Sequence, residues 1–253
     1  MNQLAVNNLS LLFAFLLVLI AVGISYKEKL TLSKDIVVSI IRAIIQLVIV
    51  GYLLKYIFQV NNTLLTLAMS LFIVFNAAWN AYKRNPAPHK HYFHSFVAIF
   101  ISTYVTLGVL IFAGAIKLIP SQIVPITGMI ASNSMVAIGL CYRALNTQFH
   151  DLRQQTLEKL ALGATIKQAS KPILQQSIKT AMQPTIDSAK TVGLVSLPGM
   201  MSGLIFAGLD PVHAIKYQIM VTFMLLSATS LGSIIGGYFA YKNYFNTYHQ
   251  LTL

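Results

Sequence analysis

Apolar runs of about 20 residues, each closed by polar or charged positions, recur along the chain and set its organisation. Seven of them predict membrane-spanning helices: about Leu4 to Ser25, Ile36 to Phe58, Leu64 to Tyr82, Phe93 to Ile116, Val124 to Tyr142, Thr191 to Gly208 and Ile215 to Tyr241. Most connections are short, but one runs from Arg143 to Lys190. Within it, Leu157, Leu160, Ala161 and Ala164 follow the i, i+3, i+4, i+7 spacing of one helix face, and Leu174, Ile178, Ala181 and Met182 repeat a similar stripe. This spacing predicts amphipathic helices, divided at Pro172 and ended near Pro184. The expected architecture is all-α, a polytopic membrane protein with a single transmembrane domain over residues 1–253, within which 143–190 forms a cytoplasmic region that either extends the flanking spans or docks a soluble partner.

The sixth run differs from the others. TVGLVSLPGMMSGLIFAGLDP, from Thr191 to Pro211, carries Gly193, Gly199, Gly203 and Gly208 and is broken at Pro198. Discontinuous membrane helices are tolerated where protein or a water-filled path covers the freed backbone groups. The segment is therefore expected to move or to line a path. Gly199 and Gly203 also form G-x-x-x-G, as do Gly232 and Gly236 in the last run, a spacing that lets helix backbones approach closely. Asp210 followed by Pro211 is a helix start, with Asp as cap and Pro at the first position.

Composition sharpens the membrane assignment. Only 9% of residues are charged, against roughly 25% in soluble proteins. A net charge of +12 would suit nucleic acid, but the lysines and arginines sit at the ends of the apolar runs, as membrane orientation demands. Fourteen of them (Lys27, Lys29, Lys34, Lys83, Arg84, Lys90, Arg143, Arg153, Lys159, Lys167, Lys171, Lys179, Lys190 and Lys242) fall on one side of the alternating connections. Three, Lys55, Lys117 and Lys216, fall on the other. The positive-inside rule then puts the N-terminus outside and the C-terminus in the cytoplasm. The first 26 residues hold no Lys or Arg, so the basic start of a signal peptide is missing and a retained first helix is expected. Cys141 is the single cysteine, which excludes an internal disulfide.

Candidate chemistry is sparse. Arg42 is the only charged residue deep in a predicted span and shares a face with Ser39 and Gln46. It would serve either as an anchor to neighbouring carbonyls or as a pathway residue. Asn76 and Asn80 form another i, i+4 pair, suited to interhelical hydrogen bonding or to the pathway. Glu28, Asp35, Asp151, Glu158, Asp187 and Asp210 all fall in loops or at span ends. An ion-coupled carrier usually places carboxylates inside the membrane, so that class is disfavoured. No G-x-x-x-x-G-K-[ST] phosphate loop occurs, which places any ATP hydrolysis on another polypeptide. His89, His91 and His94 form an H-x-H-x-x-H cluster that could hold a divalent ion or could simply line a polar loop. Met129, Met135, Met200, Met201, Met220 and Met224 could offer soft thioethers to a permeating metal, or fill gaps in a core. No Ser/His/Asp, Cys/His or paired-carboxylate arrangement stands out, so a membrane enzyme is not expected.

Several runs together carry a specific likeness: LALGA at Leu160 to Ala164, GMIASNSM at Gly128 to Met135, GLVSLPGMMSGLIFAGLDP, and AIKYQI at Ala214 to Ile219. With these, residues 36 to 241 resemble the FetB/YbbM-type ABC permease family of metal-export permeases, related to plant aluminium-tolerance permeases. The resemblance implies an ATP-driven export permease for iron or another metal in the cell membrane. It also implies a partner ATP-binding subunit, in two copies, that binds ATP and Mg, and a permease homodimer. Glu158 to Ala164 resembles the coupling loop E-A-A-x-x-x-G, with Lys159 and Leu160 in place of the two alanines and a spacing one residue shorter. That makes Glu158, Leu162, Gly163 and Ala164 the expected ATPase-coupling residues. Arg42, Gln46, Asn76, Asn80, Met200 and Met201 are the candidate pathway, with Pro198, Gly199 and Gly203 as helix break and packing positions. Leu204 and Ser132 depart from the family pattern, where Gln and Gly are expected.

Overall fold

The protein is described by a computed structural model covering residues 7–60 and 62–253. The start of the first expected span, residues 4–6, lies outside the described residues. The chain divides into two compact units, one up to residue 60 and one from Asn62 onward.

The first unit holds α1 (Asn8–Ala14), α2 (Leu16–Lys27) and α3 (Ser33–Val60). α2 is apolar on every side and buries only Ser25, as a helix does when its solvent is hydrocarbon. Its turn into α3 is closed by the Leu30 amide donating to the Ser25 carbonyl (3.0 Å) and by Ser33 Oγ donating to Ser25 Oγ (3.2 Å).

The second unit holds α4 (Thr63–Lys83), α5 (Tyr92–Phe112), α6 (Pro120–Asp151), α7 (Arg153–Ala161), α8 (Ile166–Thr191), α9 (Gly199–Phe206) and α10 (Pro211–Ala240). A 3₁₀ turn follows at Tyr241–Tyr244. Local chemistry sets the starts. Asn62 accepts from the Leu64 amide (2.8 Å), and Asp210 accepts from the Val212 amide (2.9 Å) with Pro211 as first helical residue. The expected Asp-Pro start is therefore present.

α10 packs on α6 through the second G-x-x-x-G. A β-carbon at Gly236 would stand 3.3 Å from Ile138, and one at Gly232 3.4 Å from Ser134 and Ile138. One residue on, a β-carbon at Gly237 would stand 3.0 Å from Leu174 of α8 and 3.2 Å from Cys141 of α6. Small polar groups add interhelical bonds, as expected for helices packed without a hydrophobic gradient between them. Ser102 Oγ donates to Ser134 Oγ (3.2 Å), Ser134 Oγ donates to the Ala228 carbonyl (3.2 Å), and the Ser95 and Tyr142 hydroxyls pair at 3.0 Å.

Two expectations about helix boundaries are corrected. Six stretches among the described residues, not seven, are long and apolar enough to cross a membrane: Leu9–Lys27, which runs through α1 and α2, and α3, α4, α5, α6 and α10. The exception is Thr191 to Gly208. Gly193 takes a left-handed φ of 85°, Val192 and Ser196 form an isolated bridge, and only Gly199–Phe206 is helical. Eight residues rise roughly 12 Å, well short of a hydrocarbon layer of about 30 Å. Pro198 supplies the physical reason for the break, because it offers no amide to continue a helix. The second correction is α8, which runs unbroken through both Pro172 and Pro184. Packing of Ala169, Ile173, Leu174, Ser177 and Ala181 into the bundle outweighs the lost hydrogen bonds, as tertiary contacts do for most protein helices.

α8 runs antiparallel to α10. Leu174 and Ile178 meet Gly237, whereas Thr185 and Ser188 share a cavity wall with Leu225, and Val192 shares one with Gln218 and Thr222. Leu225 lies midway along α10, roughly 20 Å from either end. The C-terminal half of α8 therefore packs level with the middle of α10, a helix long and apolar enough to cross a membrane, although its own sequence is polar.

Replacing Gly237 with Val should lower the stability of the detergent-purified protein by about 1–3 kcal/mol through overpacking. Gly203→Val meets open space within this chain and should cost less. Thermal unfolding of the two variants side by side checks the order.

Candidate translocation site

A cavity of about 240 Å³ lies between α6, α8, α9 and α10. Met129, Thr185, Ser188, Met200, Gln218 and Thr222 contribute to its wall. Thr222 donates to the Gln218 carbonyl of its own helix (2.9 Å), while the side-chain oxygen of Gln218 is buried without a partner. An unpaired buried amide oxygen is costly unless water or a ligand reaches it. Two thioethers, three hydroxyls and an amide oxygen make a wall that suits a partly dehydrated cation or a chain of waters.

The cavity adjoins two others, with which it shares wall residues. Toward the start of α10 it shares Val192, Gln218 and Thr222 with a space lined by Gly193, Leu197, Met201 and Ile215. In the other direction it shares Thr185, Ser188 and Leu225 with one lined by Asn133, Leu140 and Pro184. The three trace the groove along α8.

On the opposite, exposed side of α8, Gln183 Nε2 donates to Asp187 Oδ1 (2.8 Å) and Lys190 Nζ donates to the same oxygen (3.2 Å). The side chains of Lys190 and Asp187 are 65% and 55% exposed. Asp187 adjoins Ser188, whose level is the middle of α10. An open ion pair is a poor neighbour for acyl chains wherever a bilayer reaches that level.

At the other end of α8 sits a sharp elbow. Leu162 closes α7, and Gly163 follows with φ of 89°. The Gly163 amide donates to the Leu160 carbonyl and the Ala164 amide to the Lys159 carbonyl, both at 3.0 Å. These two bonds form the glycine-dependent Schellman stop. Thr165 then opens α8 with a reciprocal capping box: its hydroxyl accepts from the Gln168 amide (3.3 Å), and Gln168 Oε1 accepts from the Thr165 amide (2.9 Å). Leu162 stands 87% exposed at the tip. Glu158 is exposed one turn back and accepts from Gln154 (3.0 Å).

Residues 8–245 match the family described as Uncharacterised protein family (UPF0014). The chain belongs to the UPF0014 family. It is 59% identical to the "Probable iron export permease protein FetB" of Escherichia coli (strain K12), covering 100% of this chain and 98% of that one. It is 36% identical to the "UPF0014 membrane protein YjkA" of Bacillus subtilis (strain 168), over 96% of this chain and 97% of that one. It is also 32% identical to "Protein ALUMINUM SENSITIVE 3" of Arabidopsis thaliana, over 94% of this chain and 87% of that one. No solved structure matches. Membership in this family, with relatives named as membrane proteins, and the six apolar stretches make the chain a multi-pass membrane protein.

This UPF0014 chain gathers only part of the sequence-derived set. Met200 and Pro198 line the central cavity and Met201 the adjoining one. Arg42 and Gln46 lie in the first unit, along a shallow hollow on α3 with Val38, Ile41 and Ile45. Asn76 and Asn80 donate to the Phe72 and Asn76 carbonyls of their own helix (3.3 and 2.9 Å), so neither bonds to another helix here. His91 and His94 stack edge to face at 5.3 Å, and His94 lies flat on Phe239 at 5.1 Å. Among the described residues, no group of three His, Cys, Asp or Glu side chains is poised to hold an ion. Gly199 and Gly203 face open space. Gln218, Thr222, Ser188 and Asp187 went unnoticed as site residues. The i, i+4 spacing of Gln183, Asp187 and Thr191 is the available signal, and in sequence alone it reads as an ordinary solvated helix face.

In a Cys141→Ala background, cysteines replacing Gln183, Asp187 or Lys190 should react rapidly with a membrane-impermeant thiol reagent in proteoliposomes. A cysteine replacing Phe223, which is 68% exposed on apolar α10 near the same depth, should react at least about tenfold more slowly, as hydrocarbon excludes the charged reagent.

Proposed function

We propose that this chain is the membrane permease subunit of an ATP-driven exporter, working as a homodimer with two copies of a separate ATP-binding-cassette subunit that binds ATP and Mg. Its cargo is a metal cation, iron first. The observation that carries the reading is full-length 59% identity to a protein named as an iron export permease. A polar helix face at bilayer depth beside a cavity with two thioethers supports it.

In this reading the chain crosses the cell membrane seven times, N-terminus outside and C-terminus cytoplasmic, as the distribution of Lys and Arg favours. The sixth crossing is shared, with α8 covering the inner half and α9 the outer. The pathway follows the groove of cavities between α8 and α10, past Met200, Gln218 and Ser188, with the polar α8 face opening on water. The ATPase docks on the elbow of Glu158, Leu162, Gly163 and Ala164. Closing of the nucleotide-bound ATPase pair then pushes α8 along its axis and alters the groove.

Reconstituted with its ATPase subunit, the permease should show ATP hydrolysis stimulated by ferrous iron or another divalent metal. Stimulation by an organic solute and by no metal would defeat the metal assignment. Glu158→Arg should abolish that stimulation and weaken ATPase copurification, leaving thermal stability of the permease unchanged. Retained coupling in that variant would remove the elbow from the docking surface. Gln218→Leu should lower metal-stimulated turnover on the order of tenfold without weakening ATPase binding, the cost of one lost ligand or water contact at about 1–2 kcal/mol.

A further inference from the structure

A second cavity, about 300 Å³, lies between the first turns of α8 and the end of α10. Its wall carries Lys167, Ser170, Lys171, Leu174, Tyr238 and Tyr241. The two lysines are exposed and one helical turn apart, and neither is in an ion pair among the described residues. Ser170 is only 1% exposed, and its hydroxyl has no hydrogen-bond partner. Both lysines also sit at the positive end of the α8 dipole, where free backbone amides favour an anion. A buried, unpartnered hydroxyl beside two unpaired ammonium groups is an acceptor-seeking arrangement.

The height of the site narrows the ligand. Tyr238 and Tyr241 close a membrane helix, the level at which tyrosine rings mark the headgroup layer. Below the cavity, Ile234 (42% exposed) and Tyr238 (46% exposed) lie one turn apart on α10 and give an apolar track toward the bilayer. We propose that this cavity binds the phosphate of an anionic phospholipid, with Lys167 and Lys171 holding the charge, Ser170 donating to a phosphate oxygen, and an acyl chain lying along Ile234. The bound lipid ties the start of α8 to the end of α10. It thereby stiffens the helix whose far end borders the proposed pathway, but its binding does not depend on the cargo or on an ATPase partner.

The test uses the full-length protein in neutral detergent, titrated with phosphatidylglycerol, phosphatidylcholine or inorganic phosphate and followed by thermal shift and native mass spectrometry. Phosphatidylglycerol should stabilise and remain bound, while phosphatidylcholine does neither. Lys167→Gln combined with Lys171→Gln should weaken that binding on the order of tenfold, and Ser170→Ala a few fold. The charge-matched pair Lys27→Gln and Lys34→Gln should leave it intact. A shift with inorganic phosphate alone, lost in the Lys167/Lys171 variant, would keep the site and make its ligand a soluble phosphate. Equal phosphatidylglycerol binding by wild type and the Lys167/Lys171 variant, or an equal loss in the control pair, overturns the proposal.

Discussion

The close approach of α10 to α6 and α8 at Gly232, Gly236 and Gly237 governs the second unit. Helices in lipid gain nothing from hiding apolar surface from acyl chains, so they associate by fit and by a few polar contacts. At these glycines the absence of side chains lets Ile138, Leu174 and Cys141 fill the space a β-carbon would take. The contact fixes the register of α8 against α10. That register places Ser188 level with Leu225 and makes the groove of cavities possible.

Depth changes the meaning of α8. As a soluble helix its Gln183, Asp187 and Lys190 would be an ordinary solvated face, and the exposed pair would contribute little to stability. In the hydrocarbon layer the same pair needs water or protein beside it. The bundle covers the other face with Ala169, Ile173, Leu174 and Ala181, so in the proposed permease the polar face is the one left for a water-filled space. The same logic applies to Gln218, whose buried oxygen lacks a partner on the inner side of the groove.

Much of the fold was legible because six runs were apolar over a full bilayer thickness, and a helix satisfies the backbone groups of such a run within the segment itself. The helix start at Asp210 was legible through capping chemistry, whereas the stripe read through Leu157 to Ala164 is in fact broken at Gly163. Two further features were not legible. Pro172 and Pro184 read as helix breaks, because a proline's local penalty is visible in sequence and the packing that offsets it is not. The packing of α8 against the middle of α10 was the other, because hydropathy measures a segment's mean and not its neighbours. The site was half legible for the same reason. Met200 and Pro198 lay in an anomalous segment that drew attention, whereas Gln218 and Thr222 sat inside an unremarkable apolar helix.

In the proposed permease, α8 joins both ends of the mechanism. It begins at a capping box directly after the exposed Leu162 elbow and ends at Thr191, 26 residues later, roughly 39 Å away. A regular helix would carry a push along this length as a stiff rod. Pro172 and Pro184 each remove one backbone hydrogen bond from it, so bending concentrates at those two points. Pro184 borders the groove itself. Motion entering at the elbow would thus be spent on reshaping the cavity wall near Ser188 and not on shifting the whole bundle, which the glycine contacts with α6 and α10 hold in register.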